Sequence, residues 1–253
     1  MQGISIVVPA FNEEKRLGAT LQRYLPALKG CGLPYEVIVV VDGVSDLTSE
    51  VARAYWEQGV KVLEYPHRLG KGGAVITGMR LARYDFVGYI DADGPIAPAD
   101  IHRMIRALGE VDCVIASRWS GGSTASRNQP IVRILAGRCW NLLVRAVLFL
   151  PVNDTQCGAK LFRRVVLDST LRAIAITNWA FDVSLLYHMK KSGHSLKEIP
   201  VNWRHDVSSH LPSVWMSGTM FLASLIGIRL MNTRIARRIP GSWIASFQSR
   251  WGH

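Results

Sequence analysis

Two long segments of the 253-residue chain contain no acidic residue. From Cys113 to Asn153, and again from Val207 to His253, arginine is the only side chain with a permanent charge, and these arginines supply most of the formal net charge of +11. Apolar segments that carry arginine without acid are typical of surfaces that meet anionic lipid headgroups or phosphates. Nucleic acid is the competing partner for a basic chain, but Leu, Val, Ile, Phe and Trp separate these arginines, so we expect no nucleic-acid binding.

Cysteine pairs and targeting signals are also missing. The four cysteines, at positions 31, 113, 139 and 157, form no CxxC pair and have no metal-ligand spacing. This excludes a disulfide scaffold and a zinc site, and it favours a reducing compartment or buried thiols. Residues 4–8 predict a strand directly, without the basic and apolar regions of a signal peptide. Hydrophobic residues make up 49% of the chain, which excludes disorder as its dominant state.

Strand and helix signals alternate over residues 1–120. The strand candidates are short and bounded by turn residues: Ile4–Val8, Glu36–Val41, Val60–Glu64, Phe86–Ile90 and Asp112–Ala116. The helix candidates lie between them: Glu13–Leu28, Thr48–Gln58, Gly72–Arg83 and Pro98–Leu108. Asn12 is the expected N-cap of the first helix, and Pro98 with Asp100 suits the start of the last. The alternation predicts an α/β fold with a mainly parallel sheet and ligand groups at the carboxyl ends of its strands.

A different pattern begins beyond residue 120. Ile131–Leu150 predicts one amphipathic helix with polar or small residues at i+4 spacing along one face: Arg133, Gly137, Asn141 and Arg145. Apolar residues cover much of the remainder: Ile134, Leu135, Leu142 and Leu143. We expect an interfacial helix that lies in the headgroup plane of a membrane. The alternative is a helix packed on the sheet, with arginine stems lying over it.

The C-terminal region predicts membrane-associated helices. Residues 207–228 contain no Asp, Glu, Lys or Arg, and as a helix they would span about 33 Å, close to the thickness of a bilayer core. Small residues recur there at i+4 spacing: Thr219, Ala223 and Gly227. A second helix candidate begins near Ser242. We expect residues 1–210 to form the catalytic domain and residues 211–253 to be re-entrant or interfacial helices, with a soluble core helix as the alternative.

The sharpest local signal is the motif Asp91-Ala92-Asp93, directly after the apolar run Phe86–Ile90. Two carboxylates at i and i+2 that leave a buried strand can share a divalent cation, and hard oxygen ligands favour Mg²⁺ or Mn²⁺. Such a cation would neutralise a diphosphate leaving group. The segment Gly70–Gly73, which contains Lys71, opens a helix where N–H groups and a cation can meet an anion, although a plain turn is the alternative.

Six ordered motifs carry a family resemblance. The motifs Ile6-Val-Val-Pro-Ala-Phe-Asn-Glu-Glu14, Gly70-Lys-Gly-Gly-Ala74 and Asp91-Ala-Asp93 resemble those of family 2 glycosyltransferases. Asp154–Phe162, Trp179–Val183 and Glu198–Trp203 are similar to the dolichyl-phosphate glucosyl- and mannosyltransferase branch. The resemblance covers residues 4–211. It implies a GT-A fold, which is a Rossmann-like, mainly parallel sheet flanked by helices, a nucleotide-sugar donor, and inverting transfer to a polyprenyl phosphate.

The resemblance also implies roles for individual positions. The nucleotide-sugar site would be lined by Pro9, Phe11, Glu13, Val40, Asp42, Lys71, Asp91, Ala92 and Asp93. Asp91 and Asp93 would hold the metal on the diphosphate. Arg118 matches an arginine near the transferred or acceptor phosphate, and Arg204 and the position of His210 match a basic pair that clamps the phosphates. Three residues are the expected catalytic residues: Asp93, Asp182 and Arg118.

The chain departs from the family pattern at three positions. Val41 stands where the first aspartate of Asp-Asp-Gly-Ser is usual, which bears on base recognition. His210 replaces a lysine with a cation that titrates near neutrality, which bears on the pH range and the acceptor. Pro95 stands where some mannosyltransferases have a metal-linked glutamine.

Asp182 opens the helical run Val183–Lys191, in the region where many family 2 enzymes hold the base that activates an acceptor hydroxyl. A phosphate acceptor is already an anion and needs no base, so Asp182 would orient the acceptor or the donor sugar. The alternative is a carboxylate that only stabilises a helix N-terminus. His205 beside Asp206 either completes a metal site or forms a surface pair.

The sequence therefore predicts a membrane-associated, metal-dependent hexosyltransferase with its active site on the cytoplasmic face. It would transfer a hexose from a nucleotide-sugar to polyprenyl or dolichyl phosphate in lipid-linked glycan biosynthesis, such as N-glycosylation. The motif that begins at Asp154 favours UDP-glucose, whereas GDP-mannose is the commoner donor of the wider group, and mannose is the preferred expectation. One alternative is transfer to a hydroxyl of a lipid-linked glycan with Asp182 as base. The other is an inactive nucleotide-sugar-binding membrane protein.

Overall fold

The computed structural model describes residues 1–43, 45–125, 131–174, 180–203 and 214–233, and these ranges contain nine strands, eight α-helices and one short 3₁₀ helix, Trp56–Gln58. The strands are β1 (Ile4–Ala10), β2 (Tyr35–Asp42), β3 (Val60–Tyr65), β4 (Phe86–Ile90), β5 (Cys113–Ser117), β6 (Thr124–Ala125), β7 (Ala159–Arg163), β8 (Leu196–Pro200) and β9 (Asn202–Trp203). The helices are α1 (Leu17–Lys29), α2 (Thr48–Arg53), α3 (Gly70–Leu81), α4 (Pro98–Leu108), α5 (Ile131–Leu148), α6 (Arg164–Ala173), α7 (Phe181–Lys191) and α8 (Val214–Met231).

Seven strands form one sheet in the order β3-β2-β1-β4-β7-β5-β8. Neighbouring strands are parallel except at β7, which runs antiparallel to both β4 and β5. β6 and β9 form a separate parallel pair. The predicted α/β fold with a mainly parallel sheet is confirmed, and the carboxyl ends of β1, β2 and β4 lie along one edge of it.

Helices cover both faces of the sheet. One buried cluster joins the sheet to α3, α5, α6, α7 and α8, and the other joins it to α1, α2 and α4. Successive residues of β1 alternate between the two, with Val7 in the first cluster and Ile6 and Val8 in the second. Burial on both faces explains why the central strands are continuous apolar runs instead of alternating polar and apolar residues.

The first helix begins at Leu17, not at Glu13 as predicted. Asn12 has a left-handed backbone with φ of 55°, and its carboxamide oxygen accepts a hydrogen bond from the Ser45 hydroxyl. The N–H of Glu13 donates to Thr48 Oγ1 at 2.9 Å. The expected N-cap at Asn12 is therefore wrong, because contacts with the β2–α2 connection hold this segment outside the helix.

Pro9 lies inside β1 and does not end it. β4 pairs with β1 only from Ile4 to Val7, so at Pro9 the strand pairs with β2 alone. The missing N–H of Pro9 therefore removes no hydrogen bond from the β4 side. Pro98 behaves as predicted and occupies the first turn of α4, with Asp100 beside it.

α5 and α8 lie side by side. Trp140 packs edge-to-face on Phe221 with ring centroids 5.2 Å apart, and the Arg229 guanidinium lies 5.2 Å from the Phe149 ring. Each helix buries one side in the core, where α8 contributes Phe221, Leu225 and Ile228. Away from the core, the two helices and Phe149, which directly follows α5, expose large apolar side chains that we call the apolar face: Leu135, Leu142, Phe149, Leu222, Ile226 and Leu230.

The polar face predicted for α5 is partly internal. Asn141 is buried, and its carboxamide oxygen accepts hydrogen bonds from the N–H and hydroxyl of Thr155. Arg145 is exposed and donates to Asn153 Oδ1 at 3.2 Å. Among the residues the structure describes, no helix has both the length and the hydropathy that crossing a membrane requires. The 210/211 boundary and the helix near Ser242 lie outside the described residues and stay predictions.

Candidate active site

Asp91 and Asp93 follow the carboxyl end of β4, as the sequence predicts. The N–H of Asp91 donates to the Gly158 carbonyl at 2.9 Å, and the N–H of Gly94 donates to the Asp91 carbonyl at 3.0 Å. Gly94 has φ of 60°, and its carbonyl accepts a hydrogen bond from Arg23 of α1 at 3.0 Å. The turn that carries both carboxylates is thus fixed from two sides.

Gly158 leaves room for the Asp91 carboxylate. A Cβ atom at position 158 would lie 1.9 Å from Asp91 Oδ2 and 2.4 Å from Asp91 Cγ, which is closer than real atoms approach. The carboxylate therefore rests against the bare backbone of the segment that leads into β7. Only glycine at this position permits the observed Asp91 conformation.

Lys71 connects the Asp91–Asp93 motif to α7. Helix α3 begins at Gly70, so Lys71 lies in its first turn. Lys71 Nζ lies 2.8 Å from Asp91 Oδ1 and 3.8 Å from Oδ2 of Asp182, which lies in the first turn of α7. Burial opposes the charge of Lys71, but Asp91 and Asp182 outweigh it and raise the pKa of the ammonium group. The glycine-rich segment Gly70–Gly73 therefore forms the start of α3 and places the Lys71 ammonium group against Asp91.

A second lysine, Lys160 of β7, holds Asp182 from the other side. Lys160 is fully buried, and its Nζ lies 2.8 Å from Asp182 Oδ1, 2.9 Å from Tyr89 Oη and 2.9 Å from the Cys157 carbonyl oxygen. The Tyr89 hydroxyl also donates to Asp182 Oδ1. Asp182 is only 4% exposed, so these contacts fix its orientation.

Burial shifts the ionisation of the clustered side chains. It raises the pKa of Asp182 to about 6, against the opposing effect of Lys71. It lowers the pKa of Lys160 to about 8, with a further contribution from the Lys71 charge. Both members of this pair are therefore charged near neutral pH. Burial and the charge of Asp91 raise the pKa of Asp93 to about 6.

The two carboxylates of the motif fit a divalent cation. Asp93 Oδ1 is buried and has no hydrogen-bond partner, so this oxygen is available to a cation. Within the described ranges, no group of three or more His, Cys, Asp or Glu side chains could hold a metal ion. Two carboxylates would leave the other coordination positions to phosphate oxygens and water, as is usual for Mg²⁺.

Arg68 covers two of the side chains expected at the nucleotide-sugar site, Asp42 and Phe11. Its Nε donates to Asp42 Oδ2 at 3.2 Å, and its guanidinium carbon stacks 3.5 Å from the centroid of the Phe11 ring. Asp42 Oδ1 accepts a hydrogen bond from the N–H of Leu69. Val40 is fully buried under α3, two residues deeper in β2 than Asp42, so its side chain is not available to a nucleoside.

The remaining residues expected at the donor site surround this edge of the sheet. Pro9 is half-buried in β1, and Ala92 is buried between the two aspartates. Glu13 is half-buried, with its carboxylate 2.5 Å from the Arg16 guanidinium. The structure therefore brings the predicted donor residues to one edge, apart from the side chain of Val40.

Arg118 is tightly paired. Its backbone N–H, Nε and Nη2 each donate to the buried carboxylate of Asp154 at 2.8 Å. The guanidinium also lies 5.6 Å from the Trp119 ring and 5.5 Å from the Trp203 ring. Burial opposes its charge, but Asp154, and more weakly Asp91, raise its pKa. Arg118 is thus held rigidly within electrostatic reach of the motif.

Some predicted site residues lie outside the described ranges, and two site residues were not predicted. Arg204, His205, Asp206 and His210 lie outside the described residues. Lys160 and Tyr89 received no role from the sequence. The available signal for Lys160 was its position inside the apolar run 159–162, which indicates a buried strand. Because a lysine is almost never fully buried without a partner, this position indicates a buried ion pair.

Comparison with known proteins decides the family. The model of Glycosyl transferase family 2 matches residues 5–171, which is more than half of the chain. The chain belongs to glycosyl transferase family 2. This family 2 chain is 35% identical to a dolichyl-phosphate beta-glucosyltransferase of Drosophila melanogaster, over 98% of this chain and 79% of that protein. It is 32% identical to a Homo sapiens protein of the same name, over 95% of this chain and 77% of that one.

Solved structures support the fold. A glucosyl-3-phosphoglycerate synthase from Mycobacterium tuberculosis, in complex with UDP, has a TM-score of 0.68 and 20% identity, over 92% of this family 2 chain and 82% of that chain. Another structure of that enzyme, with Mn²⁺, UDP and phosphoglyceric acid, has a TM-score of 0.67 and 22% identity, over 90% of this chain and 78% of that chain. The resemblance to the GT-A fold is therefore confirmed for the catalytic region.

Proposed function

We propose that this family 2 enzyme transfers glucose from UDP-glucose to dolichyl phosphate or a related polyprenyl phosphate, with inversion at the anomeric carbon. The observation that carries the proposal is the length of the match to dolichyl-phosphate beta-glucosyltransferases, which spans nearly the whole chain and not the donor-binding half alone. These relatives are named for glucose. Glucose therefore replaces mannose, which was the preferred expectation from the sequence.

The donor would bind across the carboxyl ends of β1, β2 and β4. Asp91 and Asp93 would hold a divalent cation, Mg²⁺ or Mn²⁺, which supplies charge stabilisation to the departing diphosphate. Lys71, in the first turn of α3, adds a second positive charge and helical N–H groups on the same side. Phe11 and Asp42 would meet the nucleoside once Arg68 moves off them.

Transfer requires positioning more than proton removal. An oxygen of the acceptor phosphate forms the new bond to the anomeric carbon, while the bond from that carbon to the UDP oxygen breaks on the opposite face and UDP leaves with the electron pair. The acceptor is already an anion, so no base is needed. Asp182 fits an orienting role better than the role of a base, because Lys160 and Tyr89 fix its Oδ1 atom.

The apolar face of α5 and α8 supports a membrane-bound acceptor site. Five large apolar side chains are exposed on two adjacent helices, and Phe149 is exposed directly after α5. Arg138, Arg145 and Arg229 lie on the same two helices, which contain no acidic residue. This combination suits a surface that inserts among anionic lipid headgroups. We propose that this face holds the enzyme at the cytoplasmic side of a membrane, where the lipid phosphate can reach Arg118.

A donor and acceptor panel tests the proposed function. Purified enzyme is incubated with Mn²⁺, vesicles containing dolichyl phosphate, and either labelled UDP-glucose or labelled GDP-mannose. We expect a labelled lipid monophosphate from UDP-glucose and none from Asp93→Ala. Labelled lipid from GDP-mannose alone would contradict the sugar assignment. A parallel reaction replaces dolichyl phosphate with a lipid-linked glycan. An alkali-stable disaccharide formed in that reaction would instead support transfer to a hydroxyl.

A further inference from the structure

Four charged side chains of alternating sign form a row that ends at Asp91 of the Asp91–Asp93 motif: Lys160, Asp182, Lys71 and Asp91. Lys160 Nζ is 2.8 Å from Asp182 Oδ1, and Lys71 Nζ is 3.8 Å from Asp182 Oδ2 and 2.8 Å from Asp91 Oδ1. Lys160 is fully buried, whereas the Lys71 side chain is 24% exposed. Lys71 is therefore the cation with more room to move, and it lies between two carboxylates while contacting one of them closely.

Asp91 cannot keep this contact and also bind a divalent cation through the same oxygen. A Mg²⁺ ion binds carboxylate oxygens at about 2.0–2.1 Å, so an ammonium group on that oxygen would lie against the ion and repel it. Asp182 offers Lys71 another partner. A movement of about 1 Å towards Oδ2 would give Lys71 the ion-pair distance that it now has with Asp91.

We propose that Lys71 is a built-in counter-ion of Asp91 that the divalent cation displaces onto Asp182. The inference rests on the proposed metal-dependent function and adds to it a defined exchange partner for the metal. Without metal, Lys71 neutralises Asp91. With metal bound, Lys71 pairs with Asp182, which Lys160 and Tyr89 keep in place to receive it. Metal binding at Asp91, at one end of the row, is thereby coupled to the charge around Asp182.

Mn²⁺ affinity in the absence of donor tests the exchange. Free Mn²⁺ is titrated with the full-length chain at neutral pH and followed by electron paramagnetic resonance. Lys71→Met should bind Mn²⁺ about tenfold more tightly than the wild type, because the competing cation is gone. Lys197→Met is the matched control. Lys197 lies on the edge strand β8 and forms a 2.8 Å ion pair with Glu110, so this variant should bind Mn²⁺ with the affinity of the wild type.

A double-mutant cycle tests the destination of Lys71. In the wild-type background, Asp182→Asn should weaken Mn²⁺ binding about tenfold, because Lys71 loses its second partner and stays on Asp91. In the Lys71→Met background, Asp182→Asn should weaken Mn²⁺ binding about twofold or less. Equal factors in the two backgrounds would overturn the exchange, as would unchanged or weaker binding by Lys71→Met. Lys71 is partly exposed, so the Lys71→Met result stands even if the buried Asp182→Asn variant fails to fold.

The outcomes also separate this inference from the proposed function. If the wild type binds no Mn²⁺ with or without UDP, both the metal-dependent function and the exchange are wrong. If it binds Mn²⁺ and forms glucosylated lipid while the cycle shows no coupling, only the exchange is wrong.

Discussion

A single glycine determines where Asp91 can lie. Gly158→Ala would place a Cβ atom 1.9 Å from Asp91 Oδ2, and the carboxylate would have to rotate away from Lys71 and from the metal position. Because a displacement of about 1 Å at a reacting centre can cost about a hundredfold in rate, we expect glucosyl transfer to fall by about that factor. Initial rates with saturating Mn²⁺ measure it.

Gly121→Ala is the control for this substitution. A Cβ atom added at Gly121 would meet no other atom within 4 Å, and Gly121 does not have a positive φ, so its replacement should leave the rate unchanged. Equal rates for Gly158→Ala and the wild type would show that Asp91 does not need its observed position.

Metal affinity should depend on the protonation of Asp93. Burial and Asp91 raise the pKa of Asp93 to about 6, so the metal-free carboxyl takes up a proton below that pH and must lose it to bind metal. Mn²⁺ binding should therefore be nearly constant above about pH 7 and weaken about tenfold per unit below about pH 6. Calorimetry in two buffers of different ionisation enthalpy would show proton release at acidic pH, and its absence would contradict the assignment.

The sequence identifies side chains that act at the surface of the site better than those that act beneath it. Asp91, Asp93 and Lys71 stand in recognisable local motifs, and Lys71 meets Asp91 because β4 ends and α3 begins at the same edge of the sheet. Lys160 was missed because its partners Asp182 and Tyr89 lie on other elements, and no local spacing reveals that contact. Such long-range pairs depend on the tertiary fold.

Helix α3 reaches its position through a close contact with the sheet. A Cβ atom on Gly78 would lie 2.5 Å from Val7 Cγ1 and 3.1 Å from Val40 Cγ2. Gly78→Ala should therefore lower the free energy of unfolding by about 1–3 kcal/mol, although alanine favours a helix by about 1 kcal/mol. Because α3 carries Lys71, its displacement should also reduce transfer. Urea unfolding measures the first effect and initial rates measure the second.

The matched control is another helical glycine. Gly18 lies in α1, where an added Cβ would meet Val51 Cγ1 at 3.4 Å, an ordinary contact distance. Gly18→Ala should leave stability unchanged or raise it slightly. A destabilisation equal to that of Gly78→Ala would contradict the close-packing argument.

The helices and strands were predicted well over residues 1–120, where strand and helix signals alternate, and less well beyond residue 120. The four strands of residues 1–90 are short apolar runs between turn residues, so their positions follow from local sequence. The start of α1 does not, because the Asn12 segment is held by Ser45 and neighbouring residues of another connection. The antiparallel β7 was not predicted, since its five residues include the buried Lys160, which interrupts an apolar pattern.

Membrane attachment through the apolar face can be tested with vesicles. Leu142 is 67% exposed on α5 and Ile226 is 47% exposed on α8. Burying a large apolar side chain contributes about 1.5–3 kcal/mol, so Leu142→Asp with Ile226→Asp should greatly reduce sedimentation with anionic vesicles. A wash with about 1 M salt should not release the wild type, because salt screens the arginines but not apolar insertion.

The control for the vesicle experiment is an exposed leucine elsewhere. Leu81 is 55% exposed at the end of α3, outside the apolar face, and Leu81→Asp should bind vesicles like the wild type. Release of the wild type by salt would show that attachment is electrostatic. Unchanged binding by the double variant would place the attachment elsewhere in the chain.

The anomeric configuration and phosphorus coupling of the product test whether the enzyme transfers glucose to a lipid phosphate with inversion. We expect glucose to be joined to the lipid phosphate in the β configuration, since an acceptor oxygen attacks opposite the departing UDP. The proton spectrum of the purified glycolipid should then show a large diaxial coupling at the anomeric proton and a further splitting by phosphorus. A small coupling would show retention, and a product without phosphorus splitting would show transfer to a hydroxyl; either result would overturn inverting transfer to a lipid phosphate.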